Sequence, residues 1–185
     1  MDICFTGHRP NKLGGYDWRS PKNKEIMNRI RKTVTDLINS SDDREFTFFC
    51  GGALGVDQMA FEIVRYIRDQ ELKLNPVSIS LILAMPFEKQ DNNWFKQDDK
   101  DRLKKQRREA DQVVLVDALT DYKYDRVPIG EYHPAKMQLR NEFMVDNSDV
   151  VIAVWDGSKG GTGNCVKYAE KNGRRIIRID PKKCE

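Results

Sequence analysis

Two glycine-rich runs carry the chemistry available to this sequence. Gly51-Gly52-Ala53-Leu54-Gly55-Val56-Asp57 follows the apolar residues 46–50. Asp156-Gly157-Ser158-Lys159-Gly160-Gly161-Thr162-Gly163-Asn164 follows the apolar residues 149–155. Each run leads into a stretch whose apolar residues have helical spacing. Small residues at a strand-to-helix turn leave backbone N–H groups uncovered, and the helix start adds partial positive charge. Such a turn cradles an anion, a phosphate above all. Neither run is G-x-G-x-x-G or a Walker loop. In the first run Gly51, Gly52 and Gly55 would shape the cradle. Asp57 has two readings, a helix cap or a ligand for ribose hydroxyls. In the second, Asp156 and Gly157 lead into Gly160, Gly161 and the Thr162 hydroxyl, which suit a phosphate, while Lys159 reads as a solvated side chain.

Three further segments stand where they could meet the same ligand. Gly7, His8 and Arg9 follow the apolar residues 2–6. Glycine permits a sharp turn, and arginine grips phosphate in bidentate fashion. The plainer reading is a turn bearing a surface arginine. Pro86 and Phe87 follow residues 77–84, with Gln90 and Trp94 close behind. An aromatic here could stack on a base and Gln90 could read its edge, or the rings could fill the core. Arg140, before residues 149–155, is either a phosphate partner or a surface ion pair.

These segments need a scaffold that puts them at one end. Apolar runs at 2–6, 46–50, 77–84, 112–116, 149–155 and 175–179 read as strands. Helical spacing appears at 21–39, 56–71, 93–110, 134–147 and 161–172, with residues 118–132 as a loop. Ser20 before Pro21 is a helix start and Gly173 a helix stop. Strands separated by helices imply parallel pairing through right-handed crossovers. The expected fold is α/β: a Rossmann-like three-layer sandwich around a mostly parallel sheet, forming a single domain over 1–185. Ligands of such sheets lie beyond the carboxyl ends of the strands, where every segment above falls. The two glycine-rich turns are expected to converge there on one negative group.

Bulk properties narrow the partners. The chain is 39% hydrophobic and 33% charged, with 32 basic against 29 acidic side chains and a net charge of +3. So slight an excess argues against nucleic acid as a partner. No apolar run approaches the roughly 20 residues that cross a bilayer, and the start lacks a signal-peptide pattern. No membrane partner is expected. Cys4, Cys50, Cys165 and Cys184 are scattered without a CxxC pair, so no metal site is expected and a cytoplasmic location is. An oligomer of identical chains is compatible with the sequence.

Taken together, the segments resemble the SLOG superfamily, named for the Smf/DprA and LOG proteins, and within it the YpsA-like branch of bacteria and phages. The resemblance rests on TGHRP…LGGY at 6–16, GGALGVDQMAFE at 51–62, MPF…Q…W at 85–94, RN…MVD at 140–146 and VWDGSKGGTGNCVKYA at 155–169. It implies a Rossmann-like nucleotide-binding fold. Gly51, Gly52, Gly55 and Asp57 would line one side of the pocket, Gly160, Gly161 and Thr162 would hold phosphate on the other, and His8 and Arg9 would lie near.

Three functions follow from these readings. The first is a protein that binds a nucleotide or nucleotide-derived small molecule as a sensor, with no cofactor required. The second is an N-glycosidase of the LOG kind. That branch carries a glutamate three residues after its Gly-Thr pair, and here the position is Cys165. A thiol does not replace a carboxylate in acid–base or electrostatic catalysis, so any such activity would fall to Asp57 or Asp156. The third is single-stranded DNA association of the DprA kind, against which the small basic excess and the missing aromatic–basic ladder stand.

Overall fold

A computed structural model describes residues 1–72 and 77–184. Six strands form one sheet: β1 (Asp2–Gly7), β2 (Glu45–Cys50), β3 (Ser78–Met85), β4 (Gln112–Leu115), β5 (Val150–Val154) and β6 (Arg175–Ile179). Five α-helices connect them: α1 (Pro21–Ser40), α2 (Val56–Tyr66), α3 (Gln97–Glu109), α4 (Pro134–Asp146) and α5 (Gly161–Lys171). The strand order is β4-β3-β2-β1-β5-β6, and every pairing is parallel. The sheet is thus wholly parallel, not mostly so.

Alternation along β1 sends side chains to both faces. Ile3 and Phe5 join a core with Ile26 of α1, Met59 of α2 and Leu103 of α3. Cys4 points the other way, into a core with Met144 of α4 and Cys165 of α5. The sheet is therefore covered on both sides, the three-layer arrangement that the uninterrupted apolar strands require. All five residues of β5 are buried.

Local chemistry sets the element ends. Ser20 caps α1, its hydroxyl accepting from the Asn23 N–H at 3.3 Å, with Pro21 in the first turn. Asn23 is fully buried and pins the preceding loop: its amide donates to Gly15 O and Asp17 O, and its oxygen accepts from Gly14 N–H. The helix expected from 93 begins at Gln97. Residues 91–94 close a turn, with Trp94 N–H on Asp91 O at 2.9 Å, and Lys96 is extended. The helix expected over 56–71 passes at Ile67 into a π-helical turn, Ile67–Glu71.

The chain adds β2, β3 and β4 outward on one side of β1, then crosses to the other side for β5 and β6. That reversal opens a crevice beyond the carboxyl ends of β1 and β5. His8 ties the crevice walls together. Its N–H donates to Val154 O at 3.2 Å, and its carbonyl accepts from Val56 N–H, the first amide of α2, at 3.3 Å.

Candidate anion-binding site

A cavity of about 310 Å³ occupies this crevice. Of the residues singled out in the sequence, it gathers Gly7, His8, Arg9, Asp57, Arg140, Gly160, Gly161 and Thr162. Gly51, Gly52, Gly55, Pro86, Phe87, Asp156 and Gly157 are not on its walls. Its lining carries four cationic side chains, Arg9, Lys12, Arg140 and Lys159, against the single carboxylate of Asp57.

The two glycine-rich turns are not equivalent. Both lie at the carboxyl end of the sheet, but β1 separates the strands that carry them. The turn after β2 is filled from within. Asp57 accepts from Arg140 Nη1 at 2.9 Å and more weakly from Ala53 N–H at 3.4 Å. Both side chains of this ion pair are buried. Here the protein supplies its own anion through one carboxylate oxygen, Asp57 Oδ2, while Asp57 also lines the cavity. The glycines of this turn make room for the arrangement. A Cβ on Gly51 would fall on the Arg140 guanidinium. Gly55, at φ +97°, lies against the His8 carbonyl, where a side chain would collide with backbone.

The turn after β5 is open. A Cβ on Gly160 or Gly161 would meet nothing within 4 Å. The amides of Gly161, Thr162 and Gly163 precede the first helical hydrogen bond, from Asn164 N–H to Gly160 O at 2.9 Å. No side chain caps α5, and its first turn has no acidic residue. An unscreened helix start therefore faces a cationic cavity.

Neighbouring side chains hold this turn in shape. His8 Nε2 lies 2.7 Å from Asp156 Oδ1 and donates to it when protonated. Asp156 also accepts from Ser158 N–H at 3.0 Å and pairs with Lys182 at 3.3 Å. Hydrogen bonds from Ser158, then from His8 and Lys182, hold the Asp156 carboxyl well below the usual carboxylate range. Trp155 Nε1 donates to Ser158 O at 2.8 Å, and Arg178 stacks on the indole. Asp156 is thus the brace of the turn rather than part of the cavity wall.

The cavity also holds residues that sequence reasoning passed over. Lys12 Nζ donates to Ser158 Oγ at 2.7 Å and links the β1 and β5 turns. Asn141 is 9% exposed and lines the cavity, yet among the described residues its amide has no hydrogen-bond partner. Arg140 Nε is buried and likewise unpartnered. A buried guanidinium N–H without a partner is rare in a folded protein, and Arg140 stands at the wall of this cavity. The Arg140-Asn141 pair was visible in the sequence, but only the arginine drew attention. Lys12 carried no signal beyond its place in the loop after β1.

Cys165 is fully buried beneath the site. Burial pushes its thiol up to about 11, opposed by a hydrogen bond with Thr6. It is a neutral packing residue. Phe87 is 1% exposed, with Tyr132 standing edge-on to it at 5.9 Å.

The architecture places the chain in a class before any relative is compared. A wholly parallel sheet with a cavity at its topological switch is the Rossmann-like arrangement expected from the motifs. The chain belongs to the YspA SLOG family, whose model matches residues 3–184. It is 37% identical over 165 residues to the uncharacterized SPbeta prophage-derived protein YoqJ of Bacillus subtilis (strain 168), covering 88% of this chain and 92% of that one. It is 28% identical over 169 residues to a UPF0398 protein of Bacillus thuringiensis (strain Al Hakam), covering 91% and 82%.

Two solved structures share the fold. DNA processing protein A (DprA) of Streptococcus pneumoniae superposes with a TM-score of 0.59 at 14% identity, over 97% of this chain and 50% of that one. DprA of Helicobacter pylori, described for its single-stranded DNA binding mode, superposes with a TM-score of 0.54 at 17% identity, over 97% and 65%. This chain therefore spans half to two thirds of those proteins.

One expectation is overturned here. Near-balanced charge does not argue against a nucleic-acid partner, because a protein of this fold is described as binding single-stranded DNA. Net charge averages over the whole surface, whereas binding responds to the local field. The lining of this cavity carries four cationic side chains and one carboxylate, although the chain as a whole carries only +3. Among the described residues no helix is long and apolar enough to cross a membrane.

Proposed function

We propose that this protein binds phosphate-bearing nucleotide ligands, with a phosphate seated on the first turn of α5. The observation that carries the reading is the bare start of α5 facing a cavity of four cations and one already-paired carboxylate. A phosphate there accepts from the Gly161–Gly163 amides and the Thr162 hydroxyl. Arg9, Lys159 and the side-chain amide of Asn141 complete its shell.

Binding without cleavage is the better-supported form of this reading. Asp57 is engaged by Arg140, and Asp156 by His8, Ser158 and Lys182. Cys165 stands where the LOG branch has its glutamate. Both candidate carboxylates are thus held in charged pairs, which disfavours their acting as proton donors on a glycosidic bond.

The same phosphate chemistry is offered by a free nucleotide and by a single strand. Tyr16 and Tyr132 are 49% and 57% exposed, and such rings favour stacked bases. Calorimetry with nucleoside mono- and diphosphates, a 5′-phosphorylated single-stranded oligonucleotide and its unphosphorylated twin separates the sources. The reading requires binding that weakens with salt and disappears in Gly161→Val. Nucleotides alone binding assigns a small ligand; the phosphorylated strand binding more tightly assigns a nucleic-acid end. No phosphate-bearing member binding at millimolar concentration contradicts the reading.

A further inference from the structure

A second hollow of about 510 Å³ lies beyond β3, and no step above uses it. Its walls include Phe87, Gln90, Asn92 and Asn93 on one side and Glu131 and Tyr132 on the other. Resting on the phosphate reading above, we infer that this hollow is the subsite for the nucleobase of the same ligand, with Tyr132 as its stacking platform.

The platform is built, not incidental. Tyr132 ends the loop between β4 and α4, and its ring packs edge-on against buried Phe87. That loop is pinned by an ion pair that is 1% exposed on both sides, Lys136 Nζ to Asp117 Oδ2 at 2.9 Å. The same lysine donates to Pro128 O at 2.7 Å, and the same aspartate accepts from Gly130 N–H at 2.8 Å. Burying a lysine and an aspartate is costly for stability alone. What the pair achieves is a fixed turn over residues 128–130, two residues before Tyr132. A half-exposed ring held this firmly loses little freedom when a base stacks on it.

Gly51, on the wall of neither, stands between the hollow and the phosphate cavity. Gln90, 7% exposed, donates weakly to Gly51 O at 3.5 Å, and Gly51 packs against the Arg140 guanidinium. From the end of β5 to the end of β3 is three strand spacings, roughly 14 Å at about 4.8 Å each. That span is too long for a nucleoside monophosphate and fits a nucleoside bearing at least two phosphates. The side-chain amides of Asn92 and Asn93 have no protein partner among the described residues and offer both donors and acceptors. The Glu131 carboxylate, also unpartnered, accepts from an exocyclic amine, which adenine and cytosine carry and uracil lacks.

The test uses calorimetry of the whole chain with ADP, UDP, AMP and inorganic pyrophosphate. ADP binds at least tenfold more tightly than pyrophosphate, and more tightly than AMP or UDP. Tyr132→Ala removes the advantage of ADP, a loss between about fivefold and a hundredfold for a stacked base, and leaves pyrophosphate unchanged. Tyr132→Phe retains it. Equal affinity for ADP and pyrophosphate, or a Tyr132→Ala loss shared by both, overturns the subsite while leaving the phosphate site standing. Absence of binding by every probe removes both.

Discussion

Arg140, on α4, reaches across the end of the sheet to donate to the carboxylate of Asp57, on α2, at 2.9 Å, and both side chains are buried. The two helices cover opposite faces of the sheet. The ion pair therefore clamps the layers together above β1 and β2 and fixes one wall of the cavity. Removing one partner strands a buried charge.

Arg140→Ala is expected to destabilise the fold by about 3–5 kcal/mol, the usual effect of breaking a buried pair. At 2–4 °C per kcal/mol for a chain of this size, the melting temperature falls by roughly 6–20 °C. Asp57→Asn lies in the same range, and the double variant shows a favourable coupling in a thermodynamic cycle. Additive losses would mean the pair is not coupled.

The two glycine-rich turns should respond differently to a single methyl group. Gly51→Ala drives a Cβ into the Arg140 guanidinium, and overpacking of this kind costs about 1–3 kcal/mol. Gly161→Ala meets open space and should leave stability within about 0.5 kcal/mol of the parent. Thermal unfolding of both variants checks the contrast.

All four cysteines are buried, and burial raises each thiol above its ordinary range. A disulfide reagent at pH 8 should find no fast-reacting thiol in the native protein and four after unfolding. A rapid native thiol would contradict the packing role given to Cys165.

Asp156 sets an acid limit on the shape of the β5 turn. Its folded pKa is depressed, so its contribution to stability is full above about 3.9, the unfolded value, and is lost as pH falls towards the lower folded one. Asp156→Asn should remove that component, flattening the fall in stability on acidification below about pH 4. Identical acid profiles for parent and variant would show that Asp156 does not brace the turn.

Much of the fold was legible because its signals are local. The apolar runs at 46–50 and 175–179 and the Ser20-Pro21 start each announce themselves within a few residues, and the structure keeps them nearly unchanged. The site was only half legible. Gly160, Gly161 and Thr162 line the cavity through a turn set by their own backbone, so their place can be read from the chain. Gly51 and Asp57 look equally like an anion cradle, but Asp57 itself is the anion there, paired with a side chain 83 residues away in sequence. No local pattern reveals that Arg140 crosses the sheet to do so. The Lys136–Asp117 pair was missed for the same reason: a loop without period gave no hint that a buried charge holds it.

A crystal grown with a nucleoside diphosphate tests the central claim most directly. A phosphate oxygen within hydrogen-bond distance of the Gly161 or Thr162 amide, with Asn141 or Arg9 on the same phosphate, is the outcome the account predicts. A ligand bound elsewhere, with the first turn of α5 facing only water, would contradict it.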